Sequence, residues 1–312
     1  MQQFIVRRLL LAIPTLVLVS FITFAAIRLV PGDAASARLG EAYTEEAAQK
    51  IRAELGLDDP WYVQYGNWVS DVSRGSLGNS SAGGGPVSDA LVSRFQATAA
   101  LALYALCFAL LVGIPAGIAS ALWQNSVWDL LIRAAAIGGV SIPGFFFATL
   151  VLAYRPLGWV PPLGGYAAPW EDLSKNLQIL AVPALLLGLS VGAGLMRYTR
   201  TMMLEVLRQD YIRTARAKGL AKPRVIIRHA LPNGLVPVIT IAGVSTVALM
   251  GGTVVYESIF GIPGVGTYLI GAASRSDYPA LQGVTFVMAV LVLLINLSVD
   301  IACTVLNPRN TP

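Results

Sequence analysis

Charge is what this chain has least of. Only 12% of its residues are Asp, Glu, Lys or Arg, where soluble domains carry roughly 25%. The charge is missing in blocks: residues 9–27, 97–123, 134–154, 177–196, 234–256 and 280–299 contain none. Each run approaches the ~20 residues that a helix needs to cross a hydrocarbon core. Six such runs exclude a soluble globular domain and predict an all-α polytopic membrane protein with six transmembrane helices.

Other residues are scarce in ways that exclude chemistry. A single histidine, His229, and two distant cysteines, Cys107 and Cys303, offer neither zinc-ligand spacing nor a disulfide framework. Both cysteines fall in apolar runs and are expected as small buried residues. None of the lysines, Lys50, Lys175, Lys218 and Lys222, follows a glycine, so no Gly-Lys-Ser/Thr phosphate loop exists. Carboxylates are absent from the middle of the runs, with Glu257 at the outer end of the fifth and Asp300 at the inner end of the sixth. Intramembrane ionisable groups usually mark proton or ion pathways, so a self-powered secondary carrier is disfavoured. No catalytic, cofactor-binding or metal-binding residue is expected, and the energy source must lie on another subunit.

One pattern competes with that conclusion. Gly188-Leu189-Ser190-Val191-Gly192 has the form of a nucleophile elbow, and a six-span chain with such a serine could be an intramembrane serine protease. That chemistry needs a general base within hydrogen-bond reach. The lone histidine lies far along the chain in a basic loop, and small residues in a span serve helix packing.

The charges that remain set the topology. Arg7 and Arg8 precede the first run. The loop after the fourth holds Arg197, Arg200, Arg208, Arg213, Arg216, Lys218, Lys222, Arg224 and Arg228 against Glu205 and Asp210. By the positive-inside rule both termini, the 125–129 turn and this loop are cytoplasmic, where membrane lipid headgroups meet the basic residues. Segments 31–96, 155–176 and 257–279 are then outside. The formal net charge of +5 is accounted for by topology, without nucleic acid. Ala35-Ser36-Ala37 fits a signal-peptidase site, but the 9–27 run exceeds the usual 7–15 residues of a signal core, so the first span is expected to be retained. The chain thus divides into 1–30 (tail and first span), 31–96 (outer segment) and 97–312 (a core of five spans with its cytosolic loop at 197–233).

The outer segment has its own helical pattern. Thr44 caps a helix whose Ala47, Ile51 and Leu55 share a face before Gly56. Pro60 opens a second helix with Trp61, Tyr65 and Trp68 on one side. Two readings stay open: helices resting at the headgroups, or a platform for an extracytoplasmic partner. The Gly/Ser-rich 79–86 stretch is expected to be a flexible connector. Five spans contain a proline, Pro14, Pro115, Pro143, Pro183 and Pro237, each able to kink its helix and act as a hinge. Gly113/Gly117 and Gly188/Gly192 permit close helix contact. No internal repeat is present, so a pore would require a second chain.

The basic loop is the most informative stretch. Asp210 suits a helix N-cap and Gly219 a left-handed stop. The two turns between them, about 12 Å long, are marginal alone in water. Small residues at Thr214, Ala215 and Ala217 would let this helix sit in a partner's groove. Lys222-Pro223 then opens a second short helix over 224–230.

Asp210-Tyr211-Ile212-Arg213-Thr214-Ala215-Arg216-Ala217-Lys218-Gly219-Leu220, followed by Arg228-His229-Ala230-Leu231-Pro232-Asn233, resembles the cytosolic signature of permease subunits of binding-protein-dependent ABC importers. The likeness is to the oligopeptide/dipeptide (and nickel) permease family in particular. Arg7-Arg8-Leu9-Leu10-Leu11-Ala12-Ile13-Pro14, Ser141-Ile142-Pro143-Gly144-Phe145, Phe260-Gly261-Ile262-Pro263-Gly264-Val265-Gly266, Asp277-Tyr278-Pro279 and Asn307-Pro308-Arg309 extend it along nearly the whole chain. The resemblance implies type I importer permease architecture in a bacterial cell membrane. It implies pairing with a second homologous permease in a heterodimer, two cytosolic ABC ATPases that bind ATP and magnesium, and an extracytoplasmic solute-binding protein. Residues 212–220 would be the coupling helix, with Ala215 and Gly219 as its characteristic small residues. The solute would be a dipeptide or oligopeptide, with nickel, haem or glutathione as alternatives handled by the same machinery.

Overall fold

The computed structural model describes residues 2–29, 39, 44–54, 56–82, 85–155 and 165–306. The 35–37 site, Leu55, residues 156–164 and the 307–309 ending lie outside them. Among the described residues the structure is helical, with one isolated antiparallel bridge between Asn79 and Pro86.

Two compact units divide the chain. The first comprises residues 1–96 and 263–294, the second residues 97–262 and 295–312. The first holds α1 (Gln2–Leu29), α2 (Glu45–Glu54) and α3 (Trp61–Ser73). It also holds the start of α4 (Val87–Leu122), all of α11 (Val265–Ser274) and most of α12 (Tyr278–Leu306). The second contains the rest of α4, α5 (Val127–Ser141), α6 (Gly144–Tyr154) and α7 (Leu173–Leu207). It continues with α8 (Asp210–Ala217), α9 (Lys222–Val225), a π-helical turn (Ile226–Ala230) and α10 (Leu231–Phe260).

Among the described residues, five helical stretches are long and apolar enough to cross a membrane: Val6–Ala26, Val87–Leu122, Leu173–Leu207, Lys222–Phe260 and Tyr278–Ala302. The third expected span, over 134–154, is broken. Its halves, α5 and α6, meet at an angle of 87°. Pro143 causes this: it has no N–H for the helix ladder, and it forces Ile142 into an extended conformation (φ −101°, ψ 125°). Pro14, Pro115, Pro183 and Pro237 lie inside helices that continue through them. Of the five expected hinges, Pro143 alone marks a break.

The outer helices form as the pattern predicts. Thr44 Oγ1 accepts from Ala47 N at 3.3 Å, capping α2, and Gly56 follows at φ +61°. In α3, Tyr65 stacks on Trp68 with ring centroids 6.2 Å apart, inside the usual range of about 4.5–7 Å. Tyr65 also meets Phe21 and Phe24 of α1 edge-on, and Trp68 meets Phe286 of α12. Tyr65 and Trp68 are thus engaged by the chain's own spans, while Trp61 stays 58% exposed.

In the second unit, α4 and α7 approach more closely than side chains would allow. A Cβ at Gly113 would lie 2.5 Å from Gly192 O, one at Gly117 2.6 Å from Met196 O, and one at Gly188 2.5 Å from Ala105 O. Leu101, Leu180, Leu187, Leu249 and Tyr256 complete the core beside this seam. Cys107 is exposed rather than buried, because the outer face of a spanning helix tolerates the same small apolar residues as its core.

Candidate functional site

The basic loop folds as a short helix seated on the chain itself. Asp210 is its first residue and Gln209 its N-cap, with no side-chain cap hydrogen bond. The expected Asp210 cap is thus displaced by one position. Instead, Asp210 stands in the first turn, where negative charge suits the helix dipole, and lies 3.4 Å from Arg213. The stop is as expected. Gly219 has φ +75°. Its N–H donates to Arg216 O at 2.9 Å and that of Leu220 to Ala215 O at 3.4 Å, the paired bonds of a Schellman motif.

The helix is strongly two-faced. Ile212 and Ala215 are buried against Ala121 of α4, Met203 of α7, Val225 of α9 and Ala230 of the π turn. Full burial of a residue like Ile212 contributes roughly 1.5–3 kcal/mol, which holds a helix too short to persist alone. Ala215 is small because it packs inward. Tyr211, Arg213, Thr214, Arg216, Ala217, Lys218 and Gly219 are exposed. No separate helix spans 224–230: Lys222–Val225 passes through the π turn directly into α10, so α8 is followed at once by the longest helical stretch of the chain.

Beside this helix lies a constellation that the sequence did not suggest. Asp129, in the first turn of α5, is fully buried (0% exposed). Its Oδ1 accepts from Ser120 Oγ at 2.5 Å and Arg200 Nε at 3.0 Å. Its Oδ2 accepts from Asn125 N and Arg200 Nη2, both at 3.0 Å. Arg133 Nε stands 3.3 Å away, close enough for an ion pair but without hydrogen-bond alignment. Ser126 caps α5 by accepting from Asp129 N. The Ser126-x-x-Asp129 capping pattern and the Asp129/Arg133 spacing were visible in the sequence. The reach of Arg200 across 71 positions was not.

Two further carboxylates, Glu257 and Asp277, are also buried. Glu257 accepts from Thr98 Oγ1 at 2.7 Å. Asp277 accepts from Ser80 Oγ at 2.5 Å and Ser81 N at 3.0 Å. Within the 79–86 connector, whose residues 83–84 lie outside the described ones, Ser80 and Ser81 are thus fixed, and Ser80 N also donates to Gly85 O. Ser190 lies mid-way along α7 and His229 in the π turn; among the described residues no hydrogen bond joins them, and no group of three or more metal-ligating side chains occurs.

Long apolar helices, together with a short two-faced basic helix between two of them, define a polytopic membrane protein. Residues 113–312 match the family described as binding-protein-dependent transport system inner membrane component. Residues 1–103 match the N-terminal part of such membrane components. The chain belongs to this family. It is 39% identical over 334 aligned residues to the dipeptide transport system permease DppB of Escherichia coli K12, covering 99% of this chain and 98% of the relative. It is 37% identical to DppB of Alkalihalophilus pseudofirmus, covering 99% of each. The glutathione transport system permease GsiC of Escherichia coli K12 is 36% identical, covering 99% and 98%. Among solved structures, an inward-facing methionine ABC transporter, MetNI, aligns with a TM-score of 0.56 at 18% identity. It covers 70% of this chain and 96% of its own, which establishes the type I permease fold.

Proposed function

We propose that this chain is a permease subunit of an ATP-driven importer of short peptides. The observation that carries the reading is the end-to-end likeness, at 36–39% identity, to permeases named for dipeptides and for glutathione. Both solutes are small peptides, so peptide is the common denominator, and glutathione is the second reading.

In this reading α8 is the coupling helix, and its exposed face of Tyr211, Arg213, Thr214, Arg216, Ala217 and Lys218 receives a separate ATPase. ATP and magnesium are bound there, by the partner. Two ATPases, a second permease chain forming a heterodimer and an extracytoplasmic binding protein complete the assembly. The basic loop supports a cytoplasmic α8, with both termini on the same side. Functionally the chain divides at about residues 30 and 96, into first span, outer segment and core. A displacement of α8 does work only if its contacts differ between two states, and the burial of Ile212 and Ala215 supplies the rigid attachment for such a displacement.

The test is uptake. A strain lacking this gene and its neighbours, complemented with the whole operon, should accumulate labelled dipeptide in an ATP-dependent way. Accumulation of glutathione alone would move the assignment to the second reading. Accumulation of neither, with nickel or haem imported instead, would overturn peptide import. A cysteine at Thr214 should cross-link to the ATPase in the assembled complex.

A further inference from the structure

The Asp129 cluster and the seat of α8 are built on the same turns of two helices. On α4, Ser120 bonds Asp129, while its neighbour Ala121 and nearby Ile118 form the wall against Ile212 and Ala215. On α7, Arg200 grips Asp129 with two parallel bonds, while Met203 and Leu204, one turn on, line that same wall. The carboxylate thus ties the end of α4, the start of α5 and the last turns of α7 into one block, directly behind the short helix.

We infer that Asp129 is a positioning residue for coupling, fixing the α4–α7 bed so that displacement of α8 is passed into the spans. The inference rests on the reading of α8 as the coupling helix. Its physical basis is direction. Apolar packing between Ala121 and Met203 resists separation but permits sliding. A bidentate Arg–carboxylate pair has fixed geometry, and all of the roughly four acceptor sites of this carboxylate are taken: two by Arg200, one by Ser120, one by Asn125 N. Sliding α7 against α4 would strip donors from a charge with no access to water, which is strongly unfavourable. The close seam at Gly113, Gly117, Gly188 and Gly192 continues the same two helices away from the clamp. A push on α8 therefore meets a block that moves as a whole.

The experiment uses the complete transporter, with its ATPases and binding protein, in proteoliposomes, and reads solute imported per ATP hydrolysed. For Asp129→Asn that ratio should fall about tenfold, within the usual range of coupling factors. Asp129→Glu, which keeps the charge, should recover part of it. An unchanged ratio overturns the inference, whether import and hydrolysis both persist or both fall in proportion to folded protein. If Asp129→Asn fails to assemble, Arg200→Lys carries the same measurement, because it keeps the charge but loses the planar fork. The Thr214→Cys cross-link separates the two ideas. Without cross-linking to the ATPase, the coupling-helix reading fails; with cross-linking and an unchanged ratio, only the role of Asp129 fails.

Discussion

Thr98 donates its hydroxyl hydrogen to the Glu257 carboxylate at 2.7 Å, with both residues almost completely inaccessible to solvent (1% and 0% exposed). The bond joins the second span to the last turn of α10. Truncating one partner of a buried hydrogen bond costs about 1–3 kcal/mol. Thr98→Val, nearly isosteric, should lower the thermal unfolding midpoint of the detergent-solubilised protein. An unaltered midpoint would refute a structural role for this bond.

The α4–α7 seam should be intolerant of a single methyl group. At Gly113 an added Cβ meets backbone oxygen at 2.5 Å, whereas at Gly138 of α5 it meets nothing within 4 Å. Gly113→Ala should therefore cost about 1–3 kcal/mol of overpacking, against a near-neutral Gly138→Ala. Comparing the folded yields of the two variants by size-exclusion chromatography checks this.

Gly219 holds φ +75°, a region that costs an ordinary L-residue about 1–2 kcal/mol. No neighbour would obstruct a side chain there, so the penalty is conformational and Asn should be the best-tolerated replacement. Gly219→Leu should insert normally yet import less solute per ATP hydrolysed. Wild-type import by that variant would sink the assignment of α8.

Asp277 fixes Ser80 and Ser81 by accepting from the hydroxyl of the first and the amide of the second. Asp277→Ala should speed hydrogen exchange at the Ser81 amide by at least the factor of about ten that a 1.4 kcal/mol bond represents. Amides of the α4–α7 seam should keep their protection. Equal exchange at Ser81 in both proteins would show that the backbone alone holds the turn.

These relationships differ in how far the sequence exposed them. Where a property is carried by neighbouring residues it was readable. The absence of charge over 97–123 announced a span, Thr44 announced a cap, and Gly219 announced a stop. Pro143 was recognised as a hinge, but its strength was not, since Pro115 and Pro183 sit in runs of the same composition and leave their helices continuous. The inward-facing role of Ala215 was hidden because smallness suits a partner's groove and a chain's own core equally. Asp129 and Arg200 were hidden for a different reason. They are 71 positions apart, and each had a sufficient local explanation, the first as a turn residue and the second as one more positive charge on a cytosolic loop.

The break at Pro143 also constrains how the protein can lie among lipids. Two helix ends, at Ser141 and Gly144, fall inside a stretch of apolar sequence, and helix ends carry backbone groups without intrahelical partners. Hydrocarbon offers such groups no hydrogen bonds, so non-helical backbone at membrane depth must be lined by protein or water. Tyr256, whose hydroxyl already crowds Gly144, begins that lining. The bend thereby gives the molecule a compass: whichever flank bears residues 141–144 is turned away from the acyl chains and toward another protein surface or a hydrated passage.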